Sequence, residues 1–175
     1  EDDDENDYFF IIDEINRGNL SKIFGELFML IEKDKRGIEL QLLYSDENFS
    51  VPANVYIIGM MNTADRSLAM LDYALRRRFS FFTMKPGFNT PGFQAYQDSL
   101  KNDAFNKLIA CVKQLNSQIV EDISLGEGFC IGHSYFCGLT PETANTQTLS
   151  SIVEYELIPL LKEYWFDEPA KIVDW

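Results

Sequence analysis

Three short stretches of the chain carry side chains that could act on a phosphate ester. The first is Asp13-Glu14, which follows five apolar residues, Tyr8 to Ile12. In an open α/β sheet ligands bind beyond the carboxyl ends of the strands, so a strand over this run delivers both carboxylates to such an edge. An apolar run followed by Asp-Glu is the Walker B pattern: the Asp organises Mg²⁺ through water, and the Glu orients or deprotonates the attacking water. Two acids after a strand also describe plain solvated surface. The second stretch is Asn62, which ends another apolar run, Val55 to Met61, and leads into Thr63-Ala64-Asp65-Arg66. An amide there can hydrogen-bond the attacking water or a γ-phosphate without adding charge, and it can equally close a strand turn. The third is Arg76-Arg77-Arg78. A guanidinium is planar, permanently charged and bidentate, which suits phosphate. Such arginines can complete a neighbouring subunit's site, or they can answer the macrodipole at a helix end.

The elements that must position these residues follow from the hydrophobic pattern. Tyr8 to Ile12 and Val55 to Met61 are continuous apolar runs, as expected of strands buried in a parallel sheet. Between them Asn16 or Asn19 offers an N-cap. Leu20, Ile23, Phe24, Leu27, Phe28, Leu30 and Ile31 then recur at mostly helical spacing, until Lys35-Arg36-Gly37 supplies a basic last turn and a stop. Ile38 to Tyr44 reads as extended, Ser45 to Ser50 as a loop, Ser67 to Arg77 as a helix and Phe79 to Met84 as a third strand. Strands alternating with helices predict an α/β, mostly parallel sheet.

The pattern changes after Pro86-Gly87. Pro91 to Leu100 predicts a helix, and Phe105, Leu108, Ile109, Val112, Leu115 and Ile119 mark a long amphipathic one. A glycine-rich stretch from Gly126 to Gly138 interrupts, and Leu149 to Tyr164 predicts a further helix that Pro159 kinks or ends. The expected organisation is an acidic, disordered start over 1–7, an α/β part over 8–86 and a mainly helical part over 87–175.

Composition bounds the function. With 46% hydrophobic residues among 175, the chain has enough apolar surface to fold. A net charge of −13 and a pI near 4.4 exclude a general coat for nucleic acid or anionic membranes. Six of the acids lie in the first seven residues, and without them the remainder stands at −7. Residues 62–88 hold five basic and two acidic side chains, a local +3 on an acidic body. No run reaches the ~18 apolar residues of a membrane span, and the acidic start is unlike a signal peptide, so the chain reads as cytoplasmic with no membrane partner. The three cysteines do not make a disulfide framework, and Cys130, His133 and Cys137 follow no common zinc spacing. Buried small hydrophobes are the expectation for them.

Taken together the motifs bring a resemblance. Phe9-Phe10-Ile11-Ile12-Asp13-Glu14-Ile15-Asn16-Arg17, Asn54 through Ser67 with its Met-Asn-Thr-Ala-Asp-Arg core, and Asp72-Tyr73-Ala74-Leu75-Arg76-Arg77-Arg78-Phe79 closely resemble the McrB family of AAA+ GTPases, from modification-dependent restriction systems. Ile131-Gly132-His133-Ser134-Tyr135-Phe136 looks like the same family, and the likeness runs from about Tyr8 to Asp167. Asp-Glu-Ile-Asn-Arg alone is shared with MoxR-type ATPases, which keeps a MoxR-like ATPase as an alternative, beside a non-catalytic AAA+-like interaction module.

The resemblance implies a partial P-loop NTPase sheet followed by a helical lid. It makes Asp13 the Mg²⁺-organising acid, Glu14 the catalytic glutamate and Asn62 the sensor 1 residue, with Thr63, Asp65 and Arg66 completing the signature loop. Arg77 and Arg78 would act in trans on the next subunit's nucleotide, and His133 could approach the nucleotide from the lid or serve packing. It further implies GTP, with ATP as the alternative, a homo-oligomeric ring of six subunits, a McrC-like nuclease partner, and DNA contacts through other domains.

One family motif has no counterpart in the chain. A P-loop reads G-x4-G-K-[ST], because backbone N–H groups and the lysine hold the β and γ phosphates. Only Gly87 and Gly92 have the required offset, and Phe93 follows the second. The expectation is a C-terminal part of an AAA+ module, inactive alone, whose P-loop strand would lie upstream. A sheet without that strand is expected to expose an edge and apolar surface, and so to dimerise or aggregate.

Overall fold

In the computed structural model the described residues are 3, 5–43, 45–62, 64 and 76–172. They divide into two units, Glu1–Phe82 and Thr83–Trp175. The first unit contains four strands among the described residues: β1 (Tyr8–Ile12), β2 (Leu40–Gln41), β3 (Asn48–Phe49) and β4 (Val55–Gly59). β1 and β4 pair in parallel, with Tyr8 opposite Val55 and Ile12 opposite Gly59. Phe9 and Tyr56, directly opposite each other, stack with ring centroids 5.3 Å apart. β2 and β3 form a separate antiparallel pair, so part of the expected 45–50 loop is strand.

Ahead of β1, Asp3 organises a turn. Its carboxylate accepts from the backbone N–H groups of Glu5 and Asn6, from the Asn6 side chain and, at 2.5 Å, from the Tyr8 hydroxyl. These donors lower the Asp3 pKa to about 2, the Tyr8 bond contributing most. Asn54 ties this turn to the start of β4 by donating to the carbonyls of Asp3 and Asn6.

Three further expectations are corrected. Tyr8, Phe9, Phe10 and Ile11 are exposed rather than buried, Phe9 at 62%. Parallel sheets are buried when layers cover both faces; here, among the described residues, the small cluster of Ile15, Leu20, Phe28 and Ile31 reaches just Ile12 and Ile57 of the pair. The predicted helix after Asn19 is a single α turn, α1 (Leu20–Phe24), followed by 3₁₀ turns over Gly25–Ile31 and Lys33–Lys35. Asn19 is the cap, its side chain accepting from Lys22 N–H at 3.0 Å. Gly25 at φ +50° takes the chain out of the right-handed helix, which glycine does without a Cβ penalty. Finally, residues 80–84 form no strand, and Phe82 is 89% exposed; a strand exists only where a neighbour satisfies its backbone, and among the described residues β1 and β4 pair with each other alone. The predicted helix over 67–77 lies outside the described residues except for its last two.

The second unit is helical and builds one core. α2 (Pro91–Leu100) starts at Thr90, whose hydroxyl accepts from Phe93 N–H at 3.3 Å, with proline at the first helical position. α3 (Asp103–Glu121) is capped by Asn102, which accepts from Phe105 N–H at 3.0 Å and also donates to the Ala144 carbonyl. α4 (Thr146–Ile152) is capped by Asn145, and α5 (Ile158–Tyr164) follows across a π segment, Val153–Leu157. The predicted single helix is thus interrupted ahead of Pro159, which has no N–H to give the carbonyl four residues back; a wider turn accommodates it. Phe105, Ile109, Val112, Leu115 and Ile119 of α3 are buried as the spacing predicts. The cysteines are corrected: Cys111 and Cys137 are exposed and Cys130 is half-buried. No described helix is long and apolar enough to cross a membrane.

Candidate functional site

The parallel ladder continues one step past the strands. Met60 N–H donates to Ile12 carbonyl at 2.8 Å, and Ile15 N–H donates to Met60 carbonyl at 2.9 Å. Between these two bonds the chain turns out, with Glu14 at φ +50°. A non-glycine residue in the left-handed region costs of order 1 kcal/mol or more and persists where its surroundings impose it. The imposing groups are Ile15, buried against Gly59, and its bond to Met60. A Cβ at Gly59 would come within 2.5 Å of the Ile15 side chain, so this close approach requires glycine. The apolar run therefore ends at Ile12, and the next two residues present carboxylates beyond the strand.

Asp13 is exposed, and one of its oxygens accepts from Glu14 N–H at 2.9 Å. The Glu14 carboxylate lies 3.2 Å from Arg17 Nε, one turn on, with Arg17 N–H also bonded to Glu14 carbonyl at 2.9 Å. Asn62 reaches the same edge from β4. Its side-chain oxygen accepts from Ala64 N–H at 3.0 Å, and its carbonyl receives Asn16 Nδ2 at 3.4 Å. The side-chain oxygen of Asn16 is buried and accepts no hydrogen bond from any described residue. The structure therefore brings Asp13, Glu14 and Asn62 to one edge, with an open acceptor beside them. Thr63, Asp65 and Arg66 lie outside the described residues.

The arginines divide. Arg77 is exposed. Arg78 is half-buried and pairs with Glu32 at 2.5 Å, its guanidinium 4.4 Å from the centre of the Phe28 ring. Glu32 is a residue the sequence reading passed over, because a lone acid after an amphipathic run looks like solvated surface.

His133 belongs to the helical unit. Its Nδ1 accepts from Gly87 N–H at 2.9 Å, and its ring meets Phe88 and Phe93 edge to face. Accepting at Nδ1 places the neutral ring's proton on Nε2. The loop that carries His133 is held from two further sides. Asn116, buried on α3, donates to the Ile131 carbonyl at 2.9 Å and accepts from Ile131 N–H at 2.6 Å, imitating a strand neighbour. The Tyr96 hydroxyl meets the Phe136 and Leu139 carbonyls and accepts from Leu139 N–H. The signal for Asn116 is its place on the apolar stripe of α3, four after Val112 and three before Ile119, where a polar residue needs a reason.

The family described as "McrB, alpha-helical lid domain" matches residues 107–173, and that described as "AAA domain (dynein-related subfamily)" matches residues 4–79. The chain is 54% identical, over 98% of its length, to a protein of Escherichia coli K12 named "Type IV methyl-directed restriction enzyme EcoKMcrB subunit", 39% of which it covers. It is 29% identical, over 70% of its length, to "Type II restriction enzyme BsuMI component YdiS" of Bacillus subtilis 168, 42% of which is covered. The chain thus spans about two fifths of the length of these curated relatives.

Proposed function

The chain belongs to the McrB family of AAA+ proteins, and on that premise we propose that it supplies the catalytic edge and lid of a nucleotide-hydrolysing motor subunit in a restriction complex. The observation that carries this reading is Glu14, held in a left-handed conformation at the end of β1, with Asn16 two residues on bonded to Asn62. Asp13 offers the carboxylate oxygens that a hard cation takes, and they fit Mg²⁺ held through water. Bound there, Mg²⁺ would offset charge on the phosphates. Glu14 takes the proton of the attacking water. The Asn62 oxygen is already engaged by Ala64, so its NH₂ is the face turned to water or phosphate. Thr63, Asp65 and Arg66 complete that loop. Arg77 acts on the nucleotide of the next subunit, and His133 offers Nε2–H from the lid.

GTP, with ATP as the alternative, a ring of six subunits, a McrC-like nuclease partner, DNA contacts through other domains and a cytoplasmic location complete the reading. They rest on the family, and comparing GTP with ATP hydrolysis in the full-length protein separates the two nucleotides.

Within these 175 residues there is no G-x4-G-K-[ST] cradle. The chain alone is therefore expected to give no binding heat with GTP and Mg²⁺ in isothermal titration, and micromolar affinity would overturn that. Joined to a phosphate-binding loop, Glu14→Gln is expected to bind nucleotide without turning it over. Unchanged turnover would remove Glu14 from its role.

A further inference from the structure

Two adjacent arginines in one motif invite one role, yet the structure treats them oppositely. Arg78 makes a 2.5 Å ion pair with Glu32, its side chain 18% exposed against 34% for the partner. Its guanidinium also sits 4.4 Å from the centre of the buried Phe28 ring, a cation–π contact. The following residue, Phe79, packs on the same small cluster of Ile15, Leu20, Phe28 and Ile31. The chain is therefore moored at 78 and 79, and Arg77, immediately before the mooring, projects to solvent. Ile15, which fixes the turned-out backbone of Glu14, lies in that same cluster.

We propose that Arg78 is a positioning residue rather than a second finger, and that its pair with Glu32 aims Arg77 at the neighbouring subunit. This rests on the reading of Arg77 as acting in trans. A finger works only when its guanidinium reaches the transferred phosphoryl group, and misplacement by about 1 Å can cost about 100-fold in rate. A long side chain on a loosely held backbone would meet that tolerance only a fraction of the time. Glu32 and Phe28 remove that freedom by fixing the next residue in two directions, one ionic and one aromatic.

The test uses the full-length protein that carries this segment with a phosphate-binding loop. Glu32→Gln is expected to lower kcat about 10- to 100-fold with KM for the nucleotide unchanged. The exchange Glu32→Arg with Arg78→Glu is expected to restore much of it. Mixing then separates a trans effect from damage to the subunit's own site. Glu14→Gln subunits keep their arginines, and Glu32→Gln subunits keep their glutamate. An equal mixture restores a good site at about a quarter of head-to-tail interfaces, and turnover is expected to rise above that of either variant alone.

Parent turnover in Glu32→Gln overturns the proposal, and so does a loss that mixing does not relieve. Should Glu32→Gln fail to fold, Arg78→Lys, which keeps the charge but not the fork, is expected to show the same loss and the same recovery. Arg77→Ala mixed with Glu14→Gln is the control. Failure to recover there removes the trans reading itself, whereas recovery there without recovery for Glu32→Gln removes only the positioning role of Arg78.

Discussion

The two units solve the burial problem with unequal success. Among the described residues the helical unit closes 16 buried residues into one cluster, whereas the larger of the first unit's two sheets rests on four. The difference is not one of hydrophobicity, since Tyr8 to Ile12 is as apolar as any stretch of the helical unit. It lies in what each element needs from its surroundings. A helix satisfies its own backbone and must cover one stripe. A parallel strand needs neighbours along both edges and layers over both faces. Among the described residues β1 has one neighbour and cover only near Ile12, so its phenyl rings stay in solvent while its carboxyl end is held firmly enough to impose a left-handed glutamate.

The largest expected effect tests that contrast with matched substitutions. Phe136 is fully buried, touching the Phe88 and Phe105 rings, and Phe136→Ala is expected to cost about 3–5 kcal/mol in chemical denaturation of the chain. Phe10, on β1, is more than half exposed, and Phe10→Ala is expected to change stability by about 0.5 kcal/mol or less. Phe10→Ala should also weaken self-association in sedimentation, because it removes apolar surface from an uncovered face. Equal losses of stability would mean that β1 is as well packed as the lid.

What could be read in the sequence follows the same division. In the helical unit the helix over 91–100 and the buried face of α3 were legible, because α3 repeats every three or four positions, while the π segment before Pro159 and the exposure of Cys111 and Cys137 were not. In the first unit the runs at Tyr8 and Val55 were legible as parallel strands, and so were the polar groups Asp13, Glu14 and Asn62 at their ends. Their burial was not, because apolar content says what a strand would prefer and not which layers are there to cover it. Residues 80–84 failed as a strand for the same reason. The break at Gly25 was hidden inside a helical spacing that continues through it, and the different settings of Arg77 and Arg78, one exposed and one ion-paired, depend on Glu32, 46 positions before Arg78 in sequence.

A smaller effect tests whether the lid loop is held or merely adjacent. Asn116 is a buried polar residue in the helical core, and both its amide groups are spent on the backbone of Ile131. Asn116→Ala leaves that N–H and carbonyl without partners and is expected to cost about 1–3 kcal/mol. Hydrogen exchange should show the loss concentrated at 130–136, with α3 still protected. A uniform loss across the unit would mean that Asn116 contributes to packing rather than to the position of the loop carrying His133.

The smallest effect depends on pH, and again the two units differ. Asp122 lies just beyond the C-terminus of α3, where the helix dipole opposes a negative charge. It is nonetheless held ionised well below the usual carboxylate range by Lys171 at 2.8 Å, by Ser124, and by the Trp165 indole N–H at 2.9 Å. A pKa depressed on folding contributes stability above the unfolded value, near 3.8, and that stability is lost as pH falls through the folded value. Because the bonds join α3 to the segment after α5, the whole helical unit should register the change. Asp122→Asn is expected to lower the melting temperature at pH 7, by less than Asn116→Ala does, with the gap to the parent closing toward pH 2. Asp3, depressed to about 2 by Tyr8 and Asn6, titrates in the same direction, but it joins only the start of β1 to Asn54. Its protonation should alter the environment of Tyr8 and leave the helical melt unchanged. A gap for Asp122→Asn that persists undiminished at pH 2 would mean that shape, rather than charge, fastens the end of the lid.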